Sequence, residues 1–190
     1  MPLETDIKIN HKDITLVFPA EHLREDICDF RQEMMNSKES GIPGGCGLQH
    51  YEFEVWLDRV SLNRTLPKTE TTTPADTFLV YRVSDGRLLG TIQLRHYLTK
   101  RNEIIGGNIG YAIRPSERRK GYAKQALEAV LDYAKSLGLD DLRIDCEAQN
   151  VASQRTIEAC GGKLEKEFDA SVGEYRERIR HYRVKTKNCT

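Results

Sequence analysis

The sequence predicts an α/β fold, of the α+β kind, in which helices cover the faces of a mixed β-sheet. Antiparallel hairpins come first, and the clearest signal is Asp85-Gly86 between two runs of strand-forming residues. A strand, a long helix and another strand follow over residues 108–147. Such a crossover joins parallel strands, so the sheet is expected to contain both kinds of pairing.

The first part of the chain is expected to hold one strand and two helices. Residues 13–18 form the strand, and apolar residues recur at helical spacing over 21–35 and 50–63. The two connections, 36–49 and 64–76, are rich in residues that favour turns, the first in glycine and the second in threonine and proline. Variable loops on a rigid scaffold usually set specificity.

The rest of the chain alternates strands and helices. Period-2 patterns and turn residues predict strands over 77–84, 88–98, 107–114, 142–147, 163–169 and 177–184. Helical spacing predicts a long helix from about Arg119 that ends at Gly138, and a short helix over 150–159. The segment 100–106 is expected to be a plain connection, and Gly173 is expected in the last turn.

Length and charge restrict the classes of function. The chain of 190 residues fits one domain, 1–190, and its 29 basic and 29 acidic residues cancel. Without a net field, nucleic acid and anionic membrane surfaces are not expected as partners. No apolar run approaches the roughly 20 residues of a membrane helix. The first residues lack the pattern of a signal peptide.

Cysteine and histidine spacing argues against a metal site. Five cysteines are scattered without a CxxC pair, and five histidines show no ligand spacing. Reduced thiols in a cytoplasmic protein are therefore expected, and no metal is expected.

Three cations stand where the long helix is expected to begin. Arg118, Arg119 and Lys120 lie at the end of a helix where the macrodipole disfavours positive charge. Gly121 follows and lets a ligand approach the backbone. Exposed N–H groups beside cations favour a phosphate site. The alternative is a solvated turn whose charges have no ligand.

Two motifs resemble those of the GCN5-related N-acetyltransferases (GNAT). Residues 118–123, Arg-Arg-Lys-Gly-Tyr-Ala, match the family's Arg/Gln-x-x-Gly-x-Gly/Ala signature, and Asn150-Val-Ala-Ser153 with Gly161-Gly162 matches its second block. The resemblance implies a mixed, mostly antiparallel central sheet with helices on both faces. It covers 77–184 best, and 13–76 more loosely as the first strand, two helices and acceptor-side loops. Through residues 92–96, 110–111, 114–118 and 161–165, together with Asn150 and Ser153, the chain also resembles a subgroup of uncharacterised predicted acetyltransferases, from which no substrate can be inferred.

The resemblance implies acetyl-CoA as co-substrate and a set of residues that hold it. Main-chain groups of β-strand residues would meet pantetheine, the basic loop would hold the pyrophosphate, and the second motif would lie beside the pantetheine arm. Asn150 is equally suited to cap its helix, and Arg119 and Lys120 either meet the 3′-phosphate or stay in solvent. The residues are Ala112, Ile113, Arg118, Arg119, Lys120, Gly121, Tyr122, Ala123, Asn150 and Ser153.

The sequence departs from the family at the proton donor. Many relatives have a tyrosine seven residues after the motif asparagine, and it protonates the leaving thiolate; here that residue is Ile157. Tyr111, Cys160 and solvent are the alternatives. Cys146 is interpreted as a buried thiol that is not activated as a nucleophile.

His96, Glu103 and Glu147 are candidate bases. Histidine as a residue type suits proton transfer near neutral pH. Glu147 ends the strand after the long helix, where the resemblance places the splay in the sheet. Each of the three residues also fits a purely structural role.

The expected function is acetyl-CoA-dependent N-acetyl transfer, without an acyl-enzyme, to a primary amine of a small molecule, protein or peptide. The alternative is a non-catalytic acyl-CoA-binding sensor or regulatory domain, which the missing tyrosine favours. The loops 36–49 and 64–76 and the turn at Gly173 are expected to line the acceptor site, and Glu70, Asp76 and Glu174 are candidates to attract a cationic amine. A homodimer is left open.

Overall fold

Eight β-strands lie side by side in one sheet in the computed structural model, which describes residues 8–37, 41–172 and 175–186. Their spatial order is β1-β2-β3-β4-β5-β6-β8-β7. The strands are β1 (Lys8–His11), β2 (Ile14–Val17), β3 (Ala75–Arg82), β4 (Leu88–Arg95), β5 (Ile109–Ile113), β6 (Asp141–Glu147), β7 (Lys163–Val172) and β8 (Tyr175–Lys185). The helices are α1 (Arg24–Met35), α2 (Phe53–Asn63), α3 (Lys100–Ile104), α4 (Tyr122–Ser136) and α5 (Val151–Ala159).

The pairing of the strands confirms a mixed, mostly antiparallel sheet. β5 and β6 are parallel, and the other neighbouring pairs among the described strands are antiparallel. Helix α4 joins β5 to β6, as a parallel connection requires.

Helices cover both faces of the sheet, as expected. On one face, α4 and α5 pack through Leu127, Val130 and Ile157 against strand residues that include Ile92 and Ile144. On the other face, α1 and α2 form a second core whose largest buried side chain is Trp56. The Trp56 indole donates to Gly45 O at 2.7 Å, which fixes the segment after residue 41 over this face. We call the two sides the α4 face and the α1–α2 face.

Two short elements were not predicted. The alternation of apolar and polar residues in β1 is weak. Its pairing with β2, across a turn at Lys12 (φ 51°), stabilises the strand instead. α3 lies within the segment expected to be a plain connection, and Thr99 caps it by accepting from Asn102 N at 3.3 Å.

Several predicted boundaries were wrong by a few residues. α4 begins at Tyr122 rather than about Arg119, because Arg119 (φ 61°) and Gly121 (φ 85°) adopt left-handed conformations that interrupt a helix. β4 ends at Arg95 rather than Leu98, and α2 begins at Phe53 rather than His50. The predicted turn at Gly173 lies outside the described residues.

The two parallel strands touch at one end and then separate. Ile109 pairs with Ile144, and the described residues contain no further ladder pair between β5 and β6. We call the gap between residues 110–113 of β5 and 145–147 of β6 the opening, and the Ile109–Ile144 contact its apex. The backbone groups that border the opening therefore lack a neighbouring strand.

We expect Ile144→Ala to lower the free energy of unfolding by about 2–5 kcal/mol, because the buried side chain lies where the strands meet and its loss leaves a cavity. Chemical denaturation measures this. Val151→Ala removes an exposed side chain and should change the free energy little. A loss below about 1 kcal/mol for Ile144→Ala would contradict tight packing at the apex.

Candidate active site

The main chain of β5 directs toward the opening groups that β6 does not bond. Arg114 N donates to Leu89 O at 2.8 Å, so even-numbered residues of β5 turn their main-chain groups toward β4. Tyr111 and Ile113 therefore direct theirs toward the opening. This alternation favours Tyr111 and Ile113, rather than Ala112, as main-chain partners for a ligand in the opening.

The loop before α4 has the geometry of an anion site. Gly121 is the N-cap of α4, and the first turn of the helix carries no acidic residue. Arg119 and Gly121 adopt left-handed conformations, which are typical of anion-binding turns. A Cβ on Gly121 would meet no atom within 4 Å among the described residues, so the backbone conformation and not crowding requires glycine. The N-terminus of α4 is therefore a candidate anion site.

The three cations of this loop have different surroundings. Lys120 Nζ donates to Glu117 Oε2 at 2.8 Å, and Arg82 Nη1 donates to the same oxygen at 2.8 Å. The bond from Lys120 contributes most and the bond from Arg82 adds to it, so that the pKa of the Glu117 carboxyl lies below its ordinary value. Burial opposes this shift. Arg118 Nε donates to Ile113 O at 2.8 Å and braces the end of β5. Arg119 is exposed. Of the three, Arg119 has the side chain best placed to reach a phosphate.

The second motif borders the opening on the side of β6. Asn150 caps α5, because its Oδ1 accepts from Ser153 N at 3.0 Å. The Ser153 hydroxyl lies 2.8 Å from the Tyr111 hydroxyl, so a side chain of β5 reaches across to α5. Burial raises the pKa of Tyr111 and keeps the phenol protonated at neutral pH. Tyr111 thus places a proton donor at the opening.

Ile157 has no proton to donate, and burial makes the two nearby cysteines weaker acids than free thiols. Ile157 is fully buried in the core under α5. Burial raises the pKa of the Cys160 thiol to about 11, and its Sγ lies 3.8 Å from Lys124 O. Burial likewise raises the pKa of Cys146 to about 11, which agrees with an unreactive thiol.

The three candidate bases lie in different places. His96 Nε2 is 2.8 Å from Asp76 Oδ2, and the Tyr133 hydroxyl of α4 donates to the same oxygen at 3.1 Å. His96 is thus part of a cluster on the α4 face, and the buried Asp76 is not free to attract an amine. Glu103 is exposed on α3. Only Glu147, at the end of β6, borders the opening.

Sequence reasoning missed a buried pair beside the apex. His181 of β8 and Asp145 of β6 stand opposite each other in the ladder, with Nδ1 and Oδ1 2.6 Å apart. The two residues are 36 positions apart in the chain, and the register of the two strands brings them together. The sequence therefore carries no local signal for the pair.

The described residues contain no cluster of three or more His, Cys, Asp or Glu side chains suited to a metal ion. None of the helices described here is both long and apolar enough to cross a membrane.

The fold, with an opening between two parallel strands near the N-terminus of α4, is shared with solved acetyltransferases of the GNAT family. The family model described as "Acetyltransferase (GNAT) domain" matches residues 14–163. The chain belongs to this acetyltransferase family, which confirms the predicted family and enzyme class.

One curated relative is similar over part of the chain. The uncharacterized N-acetyltransferase YnaD of Bacillus subtilis is 31% identical over 65 residues, which are 34% of this chain. That alignment spans 38% of the length of YnaD.

Solved structures share the fold at low identity. A GNAT-family acetyltransferase from Bacillus anthracis superposes with a TM-score of 0.67 at 20% identity, over 95% of this chain and 99% of that one. The Microcin C7 self-immunity acetyltransferase MccE, in complex with acetyl-CoA and AMP, gives 0.67 at 17%, over 96% and 97%. RimL, a ribosomal L7/L12 alpha-N-protein acetyltransferase in complex with coenzyme A, gives 0.66 at 16%, over 94% and 98%.

We expect Glu117→Gln to lower the free energy of unfolding at pH 7 by about 1–3 kcal/mol, because the buried bonds to Lys120 and Arg82 lose their charge. The pKa of Glu117 is lower in the folded state, so its contribution is present above the ordinary pKa of 4.5 and is lost as the pH falls further. The difference between variant and wild type should therefore shrink in acid. Denaturation at several pH values measures it.

Glu54→Gln is the control, because Glu54 pairs with Arg24 at 2.6 Å on the exposed surface. This change should hardly affect stability. A Glu117→Gln difference that stays constant down to pH 3 would contradict the role of the carboxylate charge.

Proposed function

We propose that this protein is an acetyl-CoA-dependent N-acetyltransferase that moves an acetyl group directly to a primary amine. The observation that carries the proposal is the opening between β5 and β6, which leads to the left-handed loop at the N-terminus of α4. Acetyl-CoA supplies an activated acetyl thioester. The similar proteins MccE and RimL were solved with acetyl-CoA and coenzyme A, which supports the choice of co-substrate.

The residues that would hold the co-substrate belong to β5, to the loop before α4 and to the start of α5. N–H groups of Tyr111 and Ile113 would bind the pantetheine arm, and one of them would polarise the thioester carbonyl. The first turn of α4, from Gly121, would bind the pyrophosphate, with Arg119 toward the 3′-phosphate. The amide of Asn150 keeps its NH₂ group available while its oxygen caps α5.

Tyr111 is the best-placed group to protonate the leaving thiolate. Its hydroxyl lies 2.8 Å from the Ser153 hydroxyl at the opening and is protonated at neutral pH, although burial raises its pKa and makes it a weaker acid. It would take the role that a tyrosine on α5 has in many relatives, where this chain has Ile157. Tyr111 would therefore donate its proton from the β5 side of the opening, whereas a tyrosine on α5 donates it from the β6 side.

The acceptor would approach from the α1–α2 face. α4 and α5 cover the other face of the sheet. On the α1–α2 face, the segment beginning at residue 41 packs over β5 and would border the acceptor. Gly44 lies directly on β5, where a Cβ would come within 2.3 Å of Gly110 O. RimL acts on a ribosomal protein, and a protein, peptide or small-molecule amine is the proposed acceptor class here.

We also infer that 1–190 forms one acetyltransferase domain, because one sheet runs through the described residues. A cytoplasmic location remains a prediction from the cysteines, and those among the described residues are unpaired. The alternative function, an acyl-CoA sensor without turnover, is favoured by the buried Ile157.

We expect Gly121→Glu to raise the acetyl-CoA dissociation constant by about tenfold or more, as measured by isothermal titration calorimetry. A carboxylate beside the N-terminus of α4 would occupy the anion site and repel the pyrophosphate. Wild-type protein that shows no acetyl-CoA binding would refute the proposed function.

Gly138→Glu is the matched control at the other end of α4. Gly138 also has a positive φ (72°) and no atom within 4 Å of a Cβ, so both substitutions cost a similar backbone strain of about 1–2 kcal/mol. Its affinity for acetyl-CoA should stay at the wild-type value. Equal losses of affinity in both variants would assign the effect to stability.

We expect Tyr111→Phe to reduce kcat by about 10²-fold, because the thiolate loses its proton donor, while acetyl-CoA affinity changes little. Thiol release with a panel of amines, polyamines and peptides measures the rate. Tyr133→Phe removes a phenol of similarly raised pKa, about 12, on the α4 face and should leave kcat unchanged. Acetyl-CoA binding without turnover on any acceptor would favour the sensor.

A further inference from the structure

A buried histidine and aspartate stand at the apex of the opening, and the mechanism above does not use them. Asp145 directly follows Ile144, the residue that pairs with Ile109 at the apex. His181 lies opposite Asp145 on the neighbouring strand β8. The two side chains are 1% (His181) and 3% (Asp145) exposed.

The pair lies on the face from which the acceptor would come. Ile144 and Cys146 point into the core under α4. Because side chains alternate along a strand, Asp145 points to the α1–α2 face, and its ladder partner His181 does the same. His96 belongs to the opposite face, where it bonds Asp76 next to α4.

The hydrogen bonds of Asp145 determine the protonation of His181. Asp145 Oδ2 accepts from Gly106 N at 2.8 Å, and Arg143 Nε lies 3.2 Å from Oδ1. An anionic carboxylate surrounded in this way requires a proton on Nδ1 of His181, 2.6 Å from Oδ1. The lone pair is then on Nε2.

That Nε2 is buried and has no hydrogen-bond partner among the described residues. A buried polar atom that lacks a protein partner requires an explanation, such as a bound water molecule or a catalytic role. Burial lowers the pKa of His181, although Asp145 opposes the shift, so the ring is neutral at neutral pH. The charged groups that face the ring are Asp145 and Arg143 of β6 and Lys166 of β7, and the Phe168 ring packs 4.5 Å from it.

We propose that His181 is the general base of the acetyl transfer and that Asp145 is its positioning residue. The inference rests on the proposed function. Nε2 takes a proton from the acceptor amine through one water molecule, and the amine nitrogen forms a bond to the acetyl carbon. The carbon–sulfur bond breaks, the thiolate takes the proton of the Tyr111 hydroxyl, and the phenolate and the imidazolium return to their starting states by exchange with solvent.

His181→Asn tests the proposal, because its amide keeps a donor for Asp145 and cannot accept the proton. We expect kcat to fall by about 10²-fold or more, with acetyl-CoA affinity within about twofold of wild type by calorimetry. The acid limb of the kcat–pH profile, expected below about pH 6.5, should disappear. Wild-type kcat in His181→Asn, or an unchanged acid limb, overturns the proposal.

Glu147→Gln separates this base from the other carboxylate at the opening. It should keep the acid limb, and loss of the limb in Glu147→Gln but not in His181→Asn would make Glu147 the base. Nitrogen-15 NMR of the wild type gives a readout independent of turnover. A neutral ring with its proton on Nδ1 at pH 7 supports the proposal, and a proton on Nε2 overturns it.

The result that would refute the proposed function differs from the result that would refute His181 as the base. Wild-type protein that binds acetyl-CoA but releases no thiol with any acceptor refutes transfer itself, and the role of His181 falls with it. Wild-type turnover with an intact acid limb in His181→Asn refutes the base alone.

Discussion

The contact between β5 and β6 at the apex is the constraint on which the site depends. Asn108 N donates to Arg143 O at 2.6 Å, and the Asn108 side chain accepts from Arg143 N at 2.9 Å while donating to Arg95 O at 3.0 Å. One asparagine thus ties three strands together. Gly107 permits this closeness, because a Cβ there would come within 2.4 Å of Arg143 O. Beyond this contact the strands separate, and the separation exposes backbone groups inside a sheet where they would otherwise be paired.

Two side-chain contacts brace the wide end of the opening, and one of them bonds a backbone oxygen that has no partner strand. Arg118 binds Ile113 O, and Tyr111 reaches Ser153 across the opening. The opening is therefore braced at its far end as well as at its apex. The same bracing accounts for two of the three cations before α4, since Lys120 neutralises the buried Glu117. The positive charge at this helix N-terminus is partly structural, which the charge pattern alone does not reveal.

Local chemistry made part of the structure predictable from the sequence. Asp85-Gly86 identified the hairpin between β3 and β4, and the basic loop with Gly121 identified the start of α4 to within a few residues. β1 was missed because a strand of 4 residues takes its stability from its partner. The main-chain direction that favours Tyr111 over Ala112 was also out of reach, because it depends on which residues of β5 bond β4. Pairing of distant strands carries no local signature.

The same limit explains why one histidine was proposed as a base and the other was not. His96 and His181 each bond a buried aspartate, at 2.8 and 2.6 Å, and neither sequence neighbourhood distinguishes them. The difference is the face of the sheet. His96 shares its carboxylate with Tyr133 of α4, so that cluster anchors a helix. Asp145 instead bonds the backbone at Gly106 beside the apex, and the second nitrogen of His181 is left without a partner among the described residues. The face of the sheet to which a side chain points, together with the position of the opening, separates a structural histidine from a candidate catalytic one. Residue type alone does not.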